Sequence, residues 1–119
     1  MSTRSAIYSL LSSVYSGSYP VFAPQETTDA YVVYSMRAEP ILTQDNTGPM
    51  DVTLIIDIYA SDFDSCVTLA ETIFSGINDA SGTYSDKELM LCRWVSESDG
   101  YIADLDKVNI TQEYNLKFE

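Results

Sequence analysis

Histidine is absent from this 119-residue chain, which removes every Ser-His-Asp, Cys-His and His-metal arrangement from consideration. Basic residues are scarce. Six Lys and Arg stand against 18 Asp and Glu, for a net charge of -12 and an isoelectric point near 4.1. A surface that neutralises phosphates needs clustered cations, so the balance argues against nucleic-acid binding and equally against a polybasic membrane anchor. Cysteine is limited to Cys66 and Cys92, too few for a disulfide scaffold at this length. They read as buried free thiols in a reducing compartment, with a single bridge between them as the minor alternative. Long apolar runs are missing too: none approaches the ~20 residues of a membrane span. Met1-Ser2-Thr3-Arg4-Ser5 leads into alternating Ser and apolar residues, unlike the continuous apolar stretch of a signal peptide. The expectation is a chain that stays in the compartment where it is made.

What is present is enough for a core. A length of 119 residues and 45% hydrophobic content suit one domain, 1–119, that buries roughly two-thirds of its unfolded surface. No repeat or composition break divides it. Ile7, Leu10, Leu11 and Val14 recur at helical spacing and predict a helix over 3–15. Pro20 and Pro24 make 17–29 a loop, with at best a short strand at Val21-Phe22. Residues 30–38 are β-branched and aromatic, hence a strand. Pro40, Asp45-Asn46 and Gly48-Pro49 supply turn chemistry across 39–50. The next strand, 51–60, turns Val52, Leu54, Ile56 and Ile58 one way and Thr53, Ile55, Asp57 and Tyr59 the other.

The period then changes. Phe63, Cys66, Val67, Ala70, Ile73, Phe74 and Ile77 trace one helix face, with Ser61 expected as N-cap and Asp62 and Asp64 in the first turn, where the helix dipole favours carboxylates. Residues 86–96 set Leu89, Leu91, Arg93 and Val95 against Met90, Cys92 and Trp94. A loop is expected over 97–106. The final strand, from 107 to 119, buries Val108, Ile110, Tyr114, Leu116 and Phe118, with Gln112 the one polar interruption. The order α-β-β-α-β-β predicts an α+β two-layer sandwich, a mostly antiparallel four- to five-stranded sheet with two helices packed on one face. The C-terminal strand is expected at a free edge, partly protected by Lys107, Glu113, Lys117 and Glu119.

Sites of chemistry are thin. Asp57, Asp62 and Asp64 invite a cation, but strand and helix-start positions already explain them. Glu97, Asp99, Asp104 and Asp106 lack Asx-x-Asx-x-Asx-Gly spacing and read as a solvated loop. Asn109-Ile110-Thr111 is a sequon only in form, lying inside a strand. Nothing assembles a nucleophile, base and oxyanion hole, so no enzyme, metal or cofactor is expected. Nine tyrosines, a residue type enriched where proteins meet, point to association instead.

A wider pattern runs through the chain. Ala6-Ile7-Tyr8-Ser9-Leu10-Leu11 precedes a Pro-containing loop, then come Tyr31-Val32-Val33-Tyr34, the junction Ile56-Asp57-Ile58-Tyr59-Ala60-Ser61-Asp62, and Tyr114-Asn115-Leu116-Lys117-Phe118-Glu119. This order resembles the tail completion proteins of long-tailed bacteriophages, the tail-to-head joining or tail-terminator group, over essentially the whole chain. One departure is visible: Ala30 stands where the family often has Pro. The resemblance implies a structural, non-enzymatic virion subunit forming a hexameric ring. Such a ring ends the tail tube and meets the head-completion (stopper) or connector protein, while DNA passes through its channel without specific binding. The implied partners are copies of itself, the tail tube protein and that head protein, at a head–tail interface assembled in the host cytoplasm, with no membrane and no cofactor.

With that role in view, the long polar segments become candidates for axial and lumenal contacts: Thr43, Gln44, Asp45, Asn46, Thr47 and Gly48 in one, Glu97, Asp99, Tyr101, Asp104 and Asp106 in the other. Ile55, Tyr59, Met90 and Trp94, read as left over on the outer sheet face, become candidates for subunit contacts. Their alternative is a core with apolar residues on both faces. The competing functional class is an acidic monomeric binding module that imitates DNA phosphates and inhibits a host protein. It needs rows of exposed acids, whereas the acids here are spread through caps, turns and loops.

Overall fold

A computed structural model describes residues 3–15, 18–20, 30–40, 50–84, 87–102 and 107–118. In chain order the elements are α1 (Thr3–Val14), β1 (Ser18–Pro20), β2 (Tyr31–Pro40), β3 (Met50–Ala60), α2 (Phe63–Ile77), β4 (Gly82–Tyr84), β5 (Lys87–Ile102) and β6 (Lys107–Phe118). The strands make one sheet in the order β1-β2-β3-β6-β5-β4, antiparallel throughout except that β1 runs parallel to β2. This is the α+β architecture expected, with two three-residue edge strands completing six.

Alternation builds the core. On β3, Val52, Leu54, Ile56 and Ile58 lie opposite Leu116, Tyr114, Gln112 and Ile110 of β6. Directly opposed antiparallel residues share a face, so these eight side chains form one inner surface, and all are buried. Ala6, Ile7, Leu10 and Leu11 of α1 and Cys66, Leu69, Ala70, Ile73 and Ile77 of α2 join the same buried cluster. Each aliphatic side chain withdrawn from water contributes about 1.5–3 kcal/mol before entropy is counted. Cys66 and Cys92 are free and buried in that cluster, as expected. Burial, with Asp79 adding to it, pushes the Cys92 thiol up to about 12.

Several sequence-based expectations need correction. The C-terminal strand is not an edge: β6 lies between β3 and β5, because its inner residues are apolar enough to stand at the centre of the core. The edges among the described residues are β1 and β4, and very short edge strands limit unwanted pairing. The helix α2 is capped by Asp62, not Ser61. Asp62 has extended backbone and its carboxylate accepts from the Ser65 N–H at 3.0 Å and the Ser65 hydroxyl at 2.8 Å. Those bonds, the backbone one first, hold its pKa below the usual carboxylate value.

The loop predicted from residue 97 onwards is also revised. β5 runs on to Ile102, pairing Ser96 to Ile102 with Glu113 to Lys107. Exposed acids concealed a strand whose pairing comes from the length of β6. The short strand before β2 lies at Ser18–Pro20, and Val21 and Phe22 lie outside the described residues. The 16-residue β5 and 12-residue β6 draw the molecule out to 46 × 25 × 22 Å.

Candidate interaction cleft and the opposite sheet face

Two irregularities in β5 decide which side chains meet. The register shifts between Leu89 and Leu91 and again between Trp94 and Ser96. A bulge inserts an unpaired residue and reverses the facing of everything beyond it. Leu89, Cys92 and Trp94 therefore stand opposite Phe118, Leu116 and Tyr114, and past the second shift Glu97 and Asp99 stand opposite Gln112 and Ile110. All five lie on the inner, helix-covered face. Leu91, Arg93, Ser96 and Ser98 lie on the outer one.

Beyond the tightly packed core, α2 and the distal half of β5 and β6 part to leave a cleft of about 420 Å³, with Phe63, Val67, Ala70, Glu71 and Phe74 on the helix side and Trp94, Glu97, Asp99, Ile110 and Gln112 on the sheet side. Phe74 and Trp94 meet edge to face with centroids 6.1 Å apart, a favoured aromatic geometry. Both stay substantially exposed, Phe74 at 38% and Trp94 at 41%. At the back of the cleft, the fully buried Gln112 donates from Nε2 to the Ala70 carbonyl (3.1 Å) and to Glu97 Oε1 (2.9 Å), and its Oε1 accepts from the Tyr114 hydroxyl (3.0 Å). That network fastens α2, β5 and β6 together and leaves no buried side-chain polar atom unpaired among the described residues. The upstream edge of β5 is tied down by the turn after α2: Asp79 N–H donates to the Cys92 carbonyl at 2.8 Å and Trp94 N–H to Asn78 Oδ1 at 3.1 Å.

Different chemistry covers the outer face. Tyr31 of β2 and Tyr59 of β3 are cross-strand partners with stacked rings 5.1 Å apart, and Lys107 lies over the Tyr31 ring. Burial raises the pKa of both phenols, with Asp57 and then Tyr31 adding to the effect on Tyr59. Thr111 donates its hydroxyl to Asp57 at 2.6 Å, and Asn115 donates to Asp51, which also pairs with Lys117 at 3.3 Å. Asp57, Asp62 and Asp64 are thus separated by role: strand bonding, helix cap and first turn. Among the described residues no group of three or more Asp, Glu or Cys is placed to hold a metal.

The candidates named from sequence fall as follows. Ile55 and Tyr59 lie half-buried on the outer face. Met90 is exposed beside the first register shift. Trp94 is not on the outer face; the shift brings it to the inner face against α2. Glu97, Asp99 and Tyr101 belong to β5 rather than a loop, and the first two line the cleft. Thr43, Gln44, Asp45, Asn46, Thr47, Gly48, Asp104 and Asp106 lie outside the described residues.

Sequence reasoning assigns no site role to Phe63, Glu71 or Phe74. The two phenylalanines do carry a signal, since they sit at the margin of the helical stripe. Leu69 shifts the buried face so that both rings remain in the open.

No family model matches this sequence, and no curated protein matches it. Among solved structures, the fold is similar to a chain of the virion of a native gene transfer agent particle, at a TM-score of 0.73 and 15% identity, covering 99% of this chain and 95% of that one.

Proposed function

We propose that this chain is a structural subunit of a phage-like virion, acting as a tail terminator: a ring, six copies by resemblance, that ends the tail tube and joins it to the head. The observation that carries this reading is the end-to-end fold similarity to a chain of a gene transfer agent virion, taken with the order of sequence features that resembles tail completion proteins. The cleft fits the role. Its lining combines aromatic and aliphatic side chains with three carboxylates and one amide, the mixture of apolar anchors and a polar rim that protein contacts use. Terminating a tube requires a closed ring, because an open heterologous contact would continue the polymer.

In this reading 43–48 supply axial and lumenal contacts together with Tyr101, Asp104 and Asp106 of the 97–106 segment, whose Glu97 and Asp99 line the cleft instead. Acids facing the lumen keep passing DNA from adhering, over about 8 Å at physiological salt. The partners are the tail tube protein and a head-completion or connector protein. Electron microscopy of particles made without this chain tests the assignment. Unjoined heads and tails of uncontrolled length are expected, and normal particles discard it. Deleting residues 43–48 should leave the circular dichroism spectrum unchanged while abolishing tail attachment. Normal joining by that variant removes the segment from the proposed contacts.

A further inference from the structure

Among the described residues, basic side chains in the sheet are gathered on its outer face, where Glu39, Asp51, Asp57 and Glu113 also stand, whereas the cleft side carries acids alone. Of the basic residues whose side chains are described, Arg37, Arg93, Lys107 and Lys117 stand on the outer sheet face and Arg4 on α1. Lys117 is paired with Asp51 and Lys107 lies over Tyr31. Arg37 and Arg93 are exposed, and no described acid pairs with either. Across the sheet, the cleft is lined by Glu71, Glu97 and Asp99 and by no basic residue. Its apolar walls remain open to water, with Phe63 51% exposed. Among the described residues, one copy therefore carries exposed, unpaired arginines on one face and an aromatic cleft rimmed by carboxylates on the other.

We infer that the cleft is occupied by the outer face of a second copy of this chain, with the surface around Arg93 seated against Glu71, Glu97 and Asp99. The inference deepens the ring proposed above and rests on that reading. Both halves of the contact use β5: Arg93 projects from its outer side, while Trp94, Glu97 and Asp99 line its inner side, so each copy offers a socket and a plug on one strand.

The two surfaces are different, which makes the contact heterologous. Repeated around an axis, such a contact gives the ring proposed above when its rotation divides a full turn, and a filament when it does not. Guanidinium groups suit this socket, since they bind carboxylates bidentately and stack on aromatic faces. Closing it also covers Phe63, Phe74 and Trp94, aromatic residues of the kind that anchor interfaces. A basic segment of another protein would meet the carboxylates but leave Arg37 and Arg93 as they are. A second copy answers both surfaces.

The experiment uses the full chain and two charge-reversed variants, R37E/R93E for the plug and E97K/D99K for the socket. Sedimentation gives assembly mass, and the fluorescence of Trp94, the one tryptophan, reports cleft closure. The wild type should assemble with a blue shift, and each variant alone should self-associate at least about tenfold more weakly, since like charges then face each other. Mixing the two should restore assembly, because reversed plug meets reversed socket.

A wild type that remains a single copy at every concentration overturns the inference. So do variants that assemble like the wild type, or folded variants that fail to complement. If either reversal prevents folding, R93Q and D99N replace it and must still weaken assembly. Rings that form by this contact yet fail to join tails to particles lacking the chain refute the terminator reading and leave the contact standing. Tail joining by a chain whose plug and socket variants are both indifferent does the opposite.

Discussion

At the scale of single residues, the molecule stands on a few buried polar and sulfur atoms that have been given no freedom. Gln112 is the sharpest case: one amide serves Ala70 of α2, Glu97 of β5 and the Tyr114 hydroxyl of β6. Tyr114→Phe deletes one bond and leaves only one amide lone pair unmet, so a loss of about 1–2 kcal/mol is expected. Gln112→Leu removes all three bonds and strands the buried Tyr114 hydroxyl, while the exposed Glu97 can turn to water, so it should cost about 2–3 kcal/mol. The double variant should cost less than the sum, since Tyr114→Phe takes away a hydroxyl that Gln112→Leu would otherwise orphan. Urea midpoints at constant slope measure all three, and strict additivity would mean that the network is not coupled. The thiols give a second expectation. Burial holds Cys92 protonated up to about 12, against 9.0 for a free thiol, and raises Cys66 as well. Thiolate, not thiol, is the nucleophile, so iodoacetamide at about pH 8 should label neither residue until denaturant is added. The sign for stability follows from linkage. A raised folded pKa makes the contribution of Cys92 complete below pH 9 and progressively lost as pH climbs towards 12. Cys92→Ala should therefore flatten the alkaline limb of the pH–stability curve, whatever it costs at neutral pH.

At the scale of elements, close approach of the helices depends on a missing side chain. A Cβ at Gly76 of α2 would stand 2.6 and 2.7 Å from the two methyls of Val14 at the end of α1. Alanine would add about 1 kcal/mol of helix propensity, yet the overlap forces α1 outward or Val14 off its rotamer, at about 1–3 kcal/mol. Gly76→Ala is thus expected to lower the melting temperature, and Val14→Ala in the same background to recover much of the loss. A gain in the single variant would show that α1 yields freely. Elements of this kind also mark what the sequence discloses. The alternation of β3 and β6 and the stripe on α2 are legible, because one buried face imposes a period on contiguous residues. Even Gln112 is legible as the lone polar position among apolar ones. Strand order is not, since neither the central place of β6 nor the shortness of the edges leaves a local trace. The faces of β5 are not legible either: two bulges break the period, and only pairing with β6 reveals that Trp94, Glu97 and Asp99 share a side. The cleft is hidden for the same reason, being assembled from the margin of a helix and the far side of two bulges.

At the scale of the whole molecule, the self-association proposed above must contend with a charge of -12 on every copy, and two electrostatic effects of different range act in opposite directions. Repulsion is summed over bodies 46 Å long, whereas attraction between Arg93 and the cleft carboxylates acts only at contact. Raising salt from about 0.01 to 0.15 M shortens the screening length from about 30 to 8 Å. That removes most of the long-range repulsion and spares pairs a few ångströms apart that are partly shielded from water. Association is therefore expected to strengthen over this interval. Near 1 M the screening length falls to about 3 Å, and the contact pairs are weakened in turn. The dissociation constant, followed by sedimentation, should pass through a minimum at intermediate salt. E97Q/D99Q should keep the low-salt limb, shifted slightly by the reduced charge, and lose the rise at high salt. A constant that falls steadily up to 1 M in the wild type would assign the contact to apolar burial alone and remove the arginines from it. A constant that rises from the lowest salt would mean that attraction between the faces outweighs the net charge at every distance.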